Sequence, residues 1–344
     1  MRIAKFAAVV LAAVMASAQP PGASLEARLS AAAGHLQQGR LQQAIKECKG
    51  VLAADPRSAP AHMLLGLAYV GQGSTAMIAD AKAELRQALD LDPSLLMARF
   101  YLARLYVDQG LNEKAQEQLE LGLKQSPGLP NFLSLLGEVR RELGDPRASV
   151  ELNRKALAAD ASMITANYYL ALAYMDLKQE DAAMAEFEKA VRSPHVTLEM
   201  YNALASMYLK KRNFAAAEDI SRKALALDPS RPDAYLNLAR AFNGRQASDR
   251  ALEALRAALP PGKDFPATEY YQGLRADLAT ERGAAYADKK LFPQAIAEYT
   301  RALEFAPQRA ALHRRLAELH RRTGNAAAAD LHTKQANTLE QSPK

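Results

Sequence analysis

The feature that most constrains this chain is a set of small residues that recurs every 34 positions through its middle. The first series is Ala103, Gly137, Ala171, Ala205 and Ala239. Two further series keep the same step, with Ala115, Ser149, Ala183, Ala217 and Ala251 in one and Gly122, Ala156, Ala190, Ala224 and Ala258 in the other. A fixed period of this length indicates a repeat architecture, in which each unit is stabilised mainly by its neighbours.

The residues between these positions are typical of helices. Only 17 Gly and 17 Pro interrupt the chain, and 49% of the residues are apolar, so core-forming material is ample and helix breakers are few. Gly110 and Gly144 fall where the first helix of a unit should end, and Pro93 and Pro127 where the second should end. Helices of roughly 13 residues are marginal alone. The sequence therefore predicts an all-α fold in which small side chains let neighbouring helices pack closely.

An aromatic residue follows the first small position of most repeats. These aromatics are Tyr106, Tyr174, Tyr208 and Phe242, and Arg140 takes the same place in one repeat. Here the chain resembles the tetratricopeptide repeat (TPR) family, whose pattern is a 34-residue helix-turn-helix with small residues, an aromatic and a closing proline at fixed points. The resemblance implies a right-handed α-solenoid of about nine stacked repeats.

The predicted solenoid lies between a linker at 19–24 and a tail at 341–344. Its nine repeats are 25–58, 59–95, 96–129, 130–163, 164–197, 198–231, 232–265, 266–309 and 310–340. Three extra residues within 73–79 are interpreted as a longer second helix, with a partner-binding protrusion as the alternative. Ten extra residues after the seventh repeat bring a Pro-Pro-Gly run into 260–271 and predict a bend there.

Residues 1–18 have the organisation of a secretory signal peptide. Arg2 and Lys5 provide a positive start, residues 7–15 an apolar stretch, and a small-x-small site ends at Ala18. We predict cleavage after Ala18 and a periplasmic or secreted protein with no membrane span after cleavage. An uncleaved tether is the alternative, although the apolar stretch is short for a bilayer core of about 30 Å.

The sequence contains none of the short motifs that mark common catalytic sites. It has no phosphate-binding P-loop, no His-Glu-x-x-His, no Cys-x-x-Cys and no Gly-x-Ser-x-Gly. His313 and His320 are seven apart and share a helix face, but no cysteine or carboxylate at a fixed spacing completes a metal site. We therefore predict a protein that is not an enzyme, with no catalytic residue, cofactor or metal.

The charge of the chain is mildly basic. The net charge of +6 falls to +4 once the two basic residues of the signal peptide are removed. Part of the excess clusters within 309–322, which we interpret as the solvated face of a terminal capping repeat, with an acidic partner or an anionic membrane surface as the alternative. A mild charge on an exported protein argues against nucleic acid as a partner.

The TPR resemblance also predicts where a partner binds, because the first helices of TPR repeats line a concave groove. Apolar residues follow one helix face in repeats two to five, and polar residues follow it later. The predicted groove residues are Met63, Leu67, Met97, Phe100, Arg104, Val107, Tyr168, Leu172, Met175, Asn202, Asn237 and Arg240. The apolar positions lie only about 60° from the core faces of their helices, so packing in the core is the alternative interpretation.

These features together predict a non-catalytic scaffold for protein–protein interaction. It would hold a partner protein or peptide in the groove, for example as an assembly factor for an envelope complex or a secretion apparatus. Self-association through the same apolar face, as a structural protein, is one alternative. An accessory subunit of an enzyme complex is the other.

Overall fold

A computed structural model describes residues 24–259, 266 and 268–341. All regular secondary structure within these residues is helical, as predicted. The predicted signal peptide at 1–18 and the Pro-Pro-Gly run at 260–262 lie outside the described residues. Ser24, the last residue of the predicted linker, caps the first helix through its hydroxyl.

The described residues form eighteen helices, which corresponds to about nine repeats of two. The first helices of the repeats are α1 (Leu25–Gln37), α3 (Ala59–Gln72), α5 (Leu96–Val107), α7 (Pro130–Glu142), α9 (Ile164–Asp176), α11 (Leu198–Lys210), α13 (Pro232–Gly244), α15 (Glu269–Asp288) and α17 (Ala310–Arg322). The second helices are α2 (Leu41–Ala54), α4 (Thr75–Leu91), α6 (Asn112–Gln125), α8 (Pro146–Ala159), α10 (Glu180–Ala190), α12 (Phe214–Leu227), α14 (Ser248–Ala258), α16 (Phe292–Phe305) and α18 (Ala326–Gln341).

The chain divides into two compact units, and the boundary between Ala183 and Met184 lies within α10. In the N-terminal unit, consecutive helices from α1 to α9 contact each other, and each first helix also contacts the next first helix. In the C-terminal unit, consecutive helices from α11 to α18 contact each other, and α13 also contacts the first helices α11 and α15. Each unit is therefore a stack of helix-turn-helix repeats with its core between the layers.

The small residues of the repeat lie in the packed contacts between helices. Ala103, Ala171 and Ala205 are completely buried. In the fourth repeat, a β-carbon added to Gly137 would lie 2.3 Å from Nδ2 of Asn153. The 34-residue spacing thus marks crossings at which a larger side chain would separate the helices.

The three extra residues of the second repeat are helical. Helix α4 has 17 residues, whereas its counterpart α6 has 14. The interpretation as a longer second helix is therefore correct, and the added residues form no separate protrusion. The later insertion precedes α15, which has 20 residues and begins after its cap Thr268. There Tyr270 is exposed, while Tyr271 packs against the core.

A second regularity joins consecutive repeats in the middle of the chain. A side chain on each of α4, α6, α8, α10 and α12 meets the residue 20 positions later, at the aromatic position of the next first helix. The pairs are Arg86 with Tyr106 (2.7 Å), Glu120 with Arg140 (3.2 Å), Arg154 with Tyr174 (2.8 Å), Glu188 with Tyr208 (2.8 Å) and Arg222 over the ring of Phe242 (5.9 Å). Arg140, which interrupts the aromatic series, keeps the contact because its partner is a carboxylate. The acidic side chain of Glu120 and the basic side chain of Arg140 thus compensate for each other's departure from the Arg–Tyr pairing of neighbouring repeats.

This compensation predicts the outcome of a double substitution. Glu120→Arg places two guanidinium groups together and should lower the free energy of unfolding by up to about 1 kcal/mol, since the pair is partly exposed. Adding Arg140→Tyr should recover most of that loss, because it recreates the kind of Arg–Tyr pair that Arg86 and Tyr106 form between the second and third repeats. Urea denaturation of the two variants measures the difference. A double variant no more stable than Glu120→Arg alone would refute the compensation.

Within the described residues, no helix is both long enough and apolar enough to cross a bilayer.

Candidate functional site

The N-terminal unit presents a partly accessible apolar strip on its first helices. This first-helix face consists of Met97, Phe100, Arg104 and Val107 on α5 and Tyr168, Leu172 and Met175 on α9, all half-buried. Helix α7 lies between them and contacts both. Side chains at i, i+3, i+7 and i+10 share one side of a helix, so each series forms a continuous strip. These predicted groove residues each keep part of their surface exposed.

Two predicted groove residues of the second repeat are in the core instead. Met63 is 3% exposed and Leu67 is 2% exposed, and both belong to the main core cluster of the N-terminal unit. Met97 and Phe100 of the next repeat pack against that cluster. Because the adjacent repeat covers them, Met63 and Leu67 stabilise the stack. Met63 also lines a cavity.

The cavity lies at the N-terminal ends of α5 and α7. It has a volume of about 510 Å³ and a lining that is mostly apolar, which is within the usual range for ligand pockets. Met97 and Phe100 line it from α5, Phe132 from α7, and Met163 from the turn before α9. The rings of Phe100 and Phe132 are 5.4 Å apart, an arrangement that fixes one wall. Asp160 also lines the cavity.

Arg104, predicted as a partner contact, is already bonded within the protein. Its Nη1 lies 3.0 Å from Oε2 of Glu138 and donates to the hydroxyl of Tyr169 at 3.4 Å. These residues belong to α5, α7 and α9, so the cluster joins three successive first helices. Burial raises the pKa of Glu138, and Arg104 only partly opposes that shift. The bond to Glu138 stabilises the stack of first helices, while the Arg104 side chain is 42% exposed, so its contact with a partner stays a prediction.

The polar groove residues predicted in the C-terminal unit also have protein partners. Asn202 donates to Asp233 at 3.1 Å, and Arg240 binds Asp277 at 2.9 Å. Asn237 is buried, with its amide 3.5 Å from the Asn202 side chain. The side chains of these predicted groove residues thus connect α11, α13 and α15. An incoming chain would have to displace them.

The histidines and the cysteine contact protein groups. Nδ1 of His313 lies 3.0 Å from Nδ1 of His332, and the ring of His320 stacks on His332 with centroids 5.6 Å apart. Across the part of the chain that the structure describes, no group of three or more His, Cys, Asp or Glu is placed to hold a metal ion. Burial raises the pKa of the Cys48 thiol to about 12, so the thiol is protonated and unreactive at neutral pH.

The sequence carried a signal for the cavity that the groove prediction missed. Leu95, Leu129 and Met163 directly precede α5, α7 and α9, and they are 34 residues apart. Ser, Thr, Asp or Asn normally occupies this capping position. None of the three makes a side-chain cap, and all three line the cavity. An apolar residue repeated at a capping position indicates a use other than helix stability.

Two family models match the chain, and both describe a tetratricopeptide repeat. One matches residues 77–139 and 208–278, and the other matches 29–76 and 134–195. Together they cover 29–195 and 208–278, which is more than half of the chain.

Two curated proteins are similar to part of the chain. The TPR repeat-containing protein YpiA of Bacillus subtilis is 24% identical over 56% of this chain and 45% of its own length. The type IV pilus assembly protein PilF of Pseudomonas aeruginosa is 29% identical over 46% of this chain and 62% of its own length. The chain therefore matches less than two thirds of either relative.

A solved structure supports the fold over most of the chain. The APC/C hetero-tetramer Cut9–Hcn1 aligns with a TM-score of 0.60 at 14% identity, over 93% of this chain and 62% of that one. At this identity the likeness concerns the helical architecture alone.

Proposed function

The chain belongs to the tetratricopeptide repeat family, and from that premise we propose that it is an exported, non-catalytic scaffold that holds a partner protein on the first-helix face. TPR proteins bind other proteins, and their stacked helices provide rigid surfaces for this. The binding surface in this proposal is formed by α5, α7 and α9 of the N-terminal unit.

One observation carries the proposal: the apolar side chains of the first-helix face on α5 and α9 are half-buried, whereas Met63 and Leu67 on α3 are buried. Apolar surface that remains accessible beside an apolar cavity favours a binding site for an amphipathic segment. The polar face of the C-terminal unit is internally bonded, so we assign it the lesser part in binding.

An assembly role outside the cytoplasm is the specific form of the proposal. It is supported by the signal-like residues 1–18 and by the similarity to PilF, which is a pilus assembly protein in its own organism. Fractionation of native cells, followed by N-terminal sequencing, should find the mature protein beginning at Gln19. Recovery of the uncleaved chain from the cytoplasm would remove the export part of the proposal.

Self-association is the second candidate, because the same apolar first-helix face would suit another copy of the chain. Size-exclusion chromatography with light scattering separates the two. A monomer across a wide concentration range supports a different protein as the partner. A concentration-dependent dimer that Phe100→Ser dissociates supports self-association.

A double substitution tests the binding face itself. Phe100→Ser combined with Tyr168→Ser should abolish capture of the partner by the tagged full-length chain from native cells, while the far-ultraviolet circular dichroism keeps its helical signal. Leu121→Ser is the matched control, since Leu121 is exposed on α6, a second helix. Equal capture by all three proteins would refute the proposed face. Loss of helicity would show that Phe100 and Tyr168 belong to the core.

A further inference from the structure

We propose that the cavity between α5, α7 and the turn before α9 receives a basic, amphipathic segment of a partner protein, in which large apolar side chains stand beside Lys or Arg. This inference rests on the proposed scaffold function, and it specifies the chemistry of the partner.

The apolar part of the segment follows from the cavity walls. Phe100 and Phe132 form an aromatic wall, and Met97 and Met163 provide flexible apolar surface beside it. Methionine side chains adapt their shape to different apolar ligands. A volume of about 510 Å³ can take more than one side chain of the partner.

The basic part follows from the charges around the cavity. Asp160 is the one charged side chain among the described residues that line it. Ser94, another lining residue, donates its hydroxyl to Asp92 at 2.6 Å, and Ser162 donates to Asp160 in the same way at 2.6 Å. In both turns the described contacts use Oδ1, so Oδ2 is left for a cation of the partner.

These two carboxylates remain charged at physiological pH. Hydrogen bonds from Ser94 lower the pKa of Asp92, and hydrogen bonds from Ser162 lower the pKa of Asp160. Both groups are therefore fixed negative charges. Asp160 lines the apolar cavity, and Asp92 is bonded to the lining residue Ser94.

The ends of the nearby helices do not reverse the preference of the cavity for a basic segment. The N-termini of α5, α7 and α9 lie at the cavity, and a helix N-terminus attracts anions. Each corresponds to only about half a positive charge and acts over the first turn, whereas Asp92 and Asp160 carry full charges. The two cationic side chains of α5 do not line the cavity and are bonded within the protein. Arg99 donates to the Pro93 carbonyl at 2.8 Å and to Gln118 at 3.0 Å. Arg104 is bonded to Glu138.

A pair of synthetic peptides tests the proposal directly. The first is a 14-residue amphipathic helix of Leu and Lys, and the second has Glu in place of every Lys. With the full-length protein and fluorescence anisotropy, the Lys peptide should bind about tenfold more tightly than the Glu peptide. The preference should decrease as salt is raised.

Aspartate variants supply the matched controls. Asp92→Asn with Asp160→Asn should remove most of the preference for the Lys peptide, because the asparagine oxygen can keep each turn. Asp228→Asn should leave it unchanged, since Asp228 makes the same turn with Ser230 in the C-terminal unit. Phe100→Ser should weaken binding of both peptides.

Three results would overturn the inference. The first is equal binding of the two peptides. The second is an effect of Asp228→Asn as large as that of Asp92→Asn with Asp160→Asn. The third is a dimer of the protein that forms without peptide and that the Lys peptide does not dissociate. If these occur while Phe100→Ser with Tyr168→Ser still abolishes partner capture, the scaffold function stands and only the partner chemistry is wrong.

Discussion

Replacing Leu119 with Ala is expected to lower the free energy of unfolding of the N-terminal unit by about 2–5 kcal/mol. Leu119 lies on α6, is 0% exposed and belongs to the main core cluster. The substitution removes buried apolar surface and leaves a cavity that the packed helices can close only in part. A shift of the urea midpoint measures the loss.

Leu121→Ala is the matched control for this substitution. Leu121 is two residues further along the same helix and is 39% exposed. The same chemical change should alter the free energy of unfolding by no more than about 0.5 kcal/mol. Similar losses at the two positions would mean that the face of α6 assigned to the core is wrong, and with it the 34-residue register.

The second prediction with a large effect compares Gly→Ala at two sites, where it should change the free energy of unfolding in opposite directions. Gly137→Ala is expected to destabilise the N-terminal unit by about 1–3 kcal/mol. The new β-carbon would lie 2.3 Å from Nδ2 of Asn153. Asn153 cannot easily move aside, because it is completely buried, accepts from Ser134 at 3.1 Å and donates to the Ser149 carbonyl at 2.9 Å.

Gly34→Ala is expected to stabilise the same unit by about 0.5–1 kcal/mol. Gly34 is within α1, and a β-carbon there would meet nothing within 4 Å. Alanine is the better helix former, so only the propensity gain remains. Thermal denaturation distinguishes the variants. Stabilisation by both substitutions would show that α7 and α8 are further apart than described.

The helical fold was predictable because the 34-residue spacing records a packing requirement. Gly137 and Ala205 are small where helices cross, and the sequence shows this directly. Even the exception at Arg140 obeys the pattern, since Glu120 supplies a partner for it. Helices shorter than about 15 residues depend on such contacts, so a repeated contact pattern specifies the architecture.

The candidate site was predictable only in part, because a groove residue and a core residue differ by a small rotation about the helix. Met97 and Phe100 remain half-buried, while Met63 and Leu67 at similar positions are covered by the next repeat. The periodicity of one helix does not reveal what its neighbour covers. The partner of Arg104 was also hidden, since Glu138 lies on another helix.

Photo-crosslinking in native cells tests the central claim most directly. A photoreactive phenylalanine analogue in place of Phe100 keeps the aromatic shape on the first-helix face, and the same analogue in place of Leu121 samples the exposed side of α6. The scaffold account predicts one dominant crosslinked protein from position 100, absent from position 121. Crosslinks of equal yield at both positions, or at neither, would contradict it.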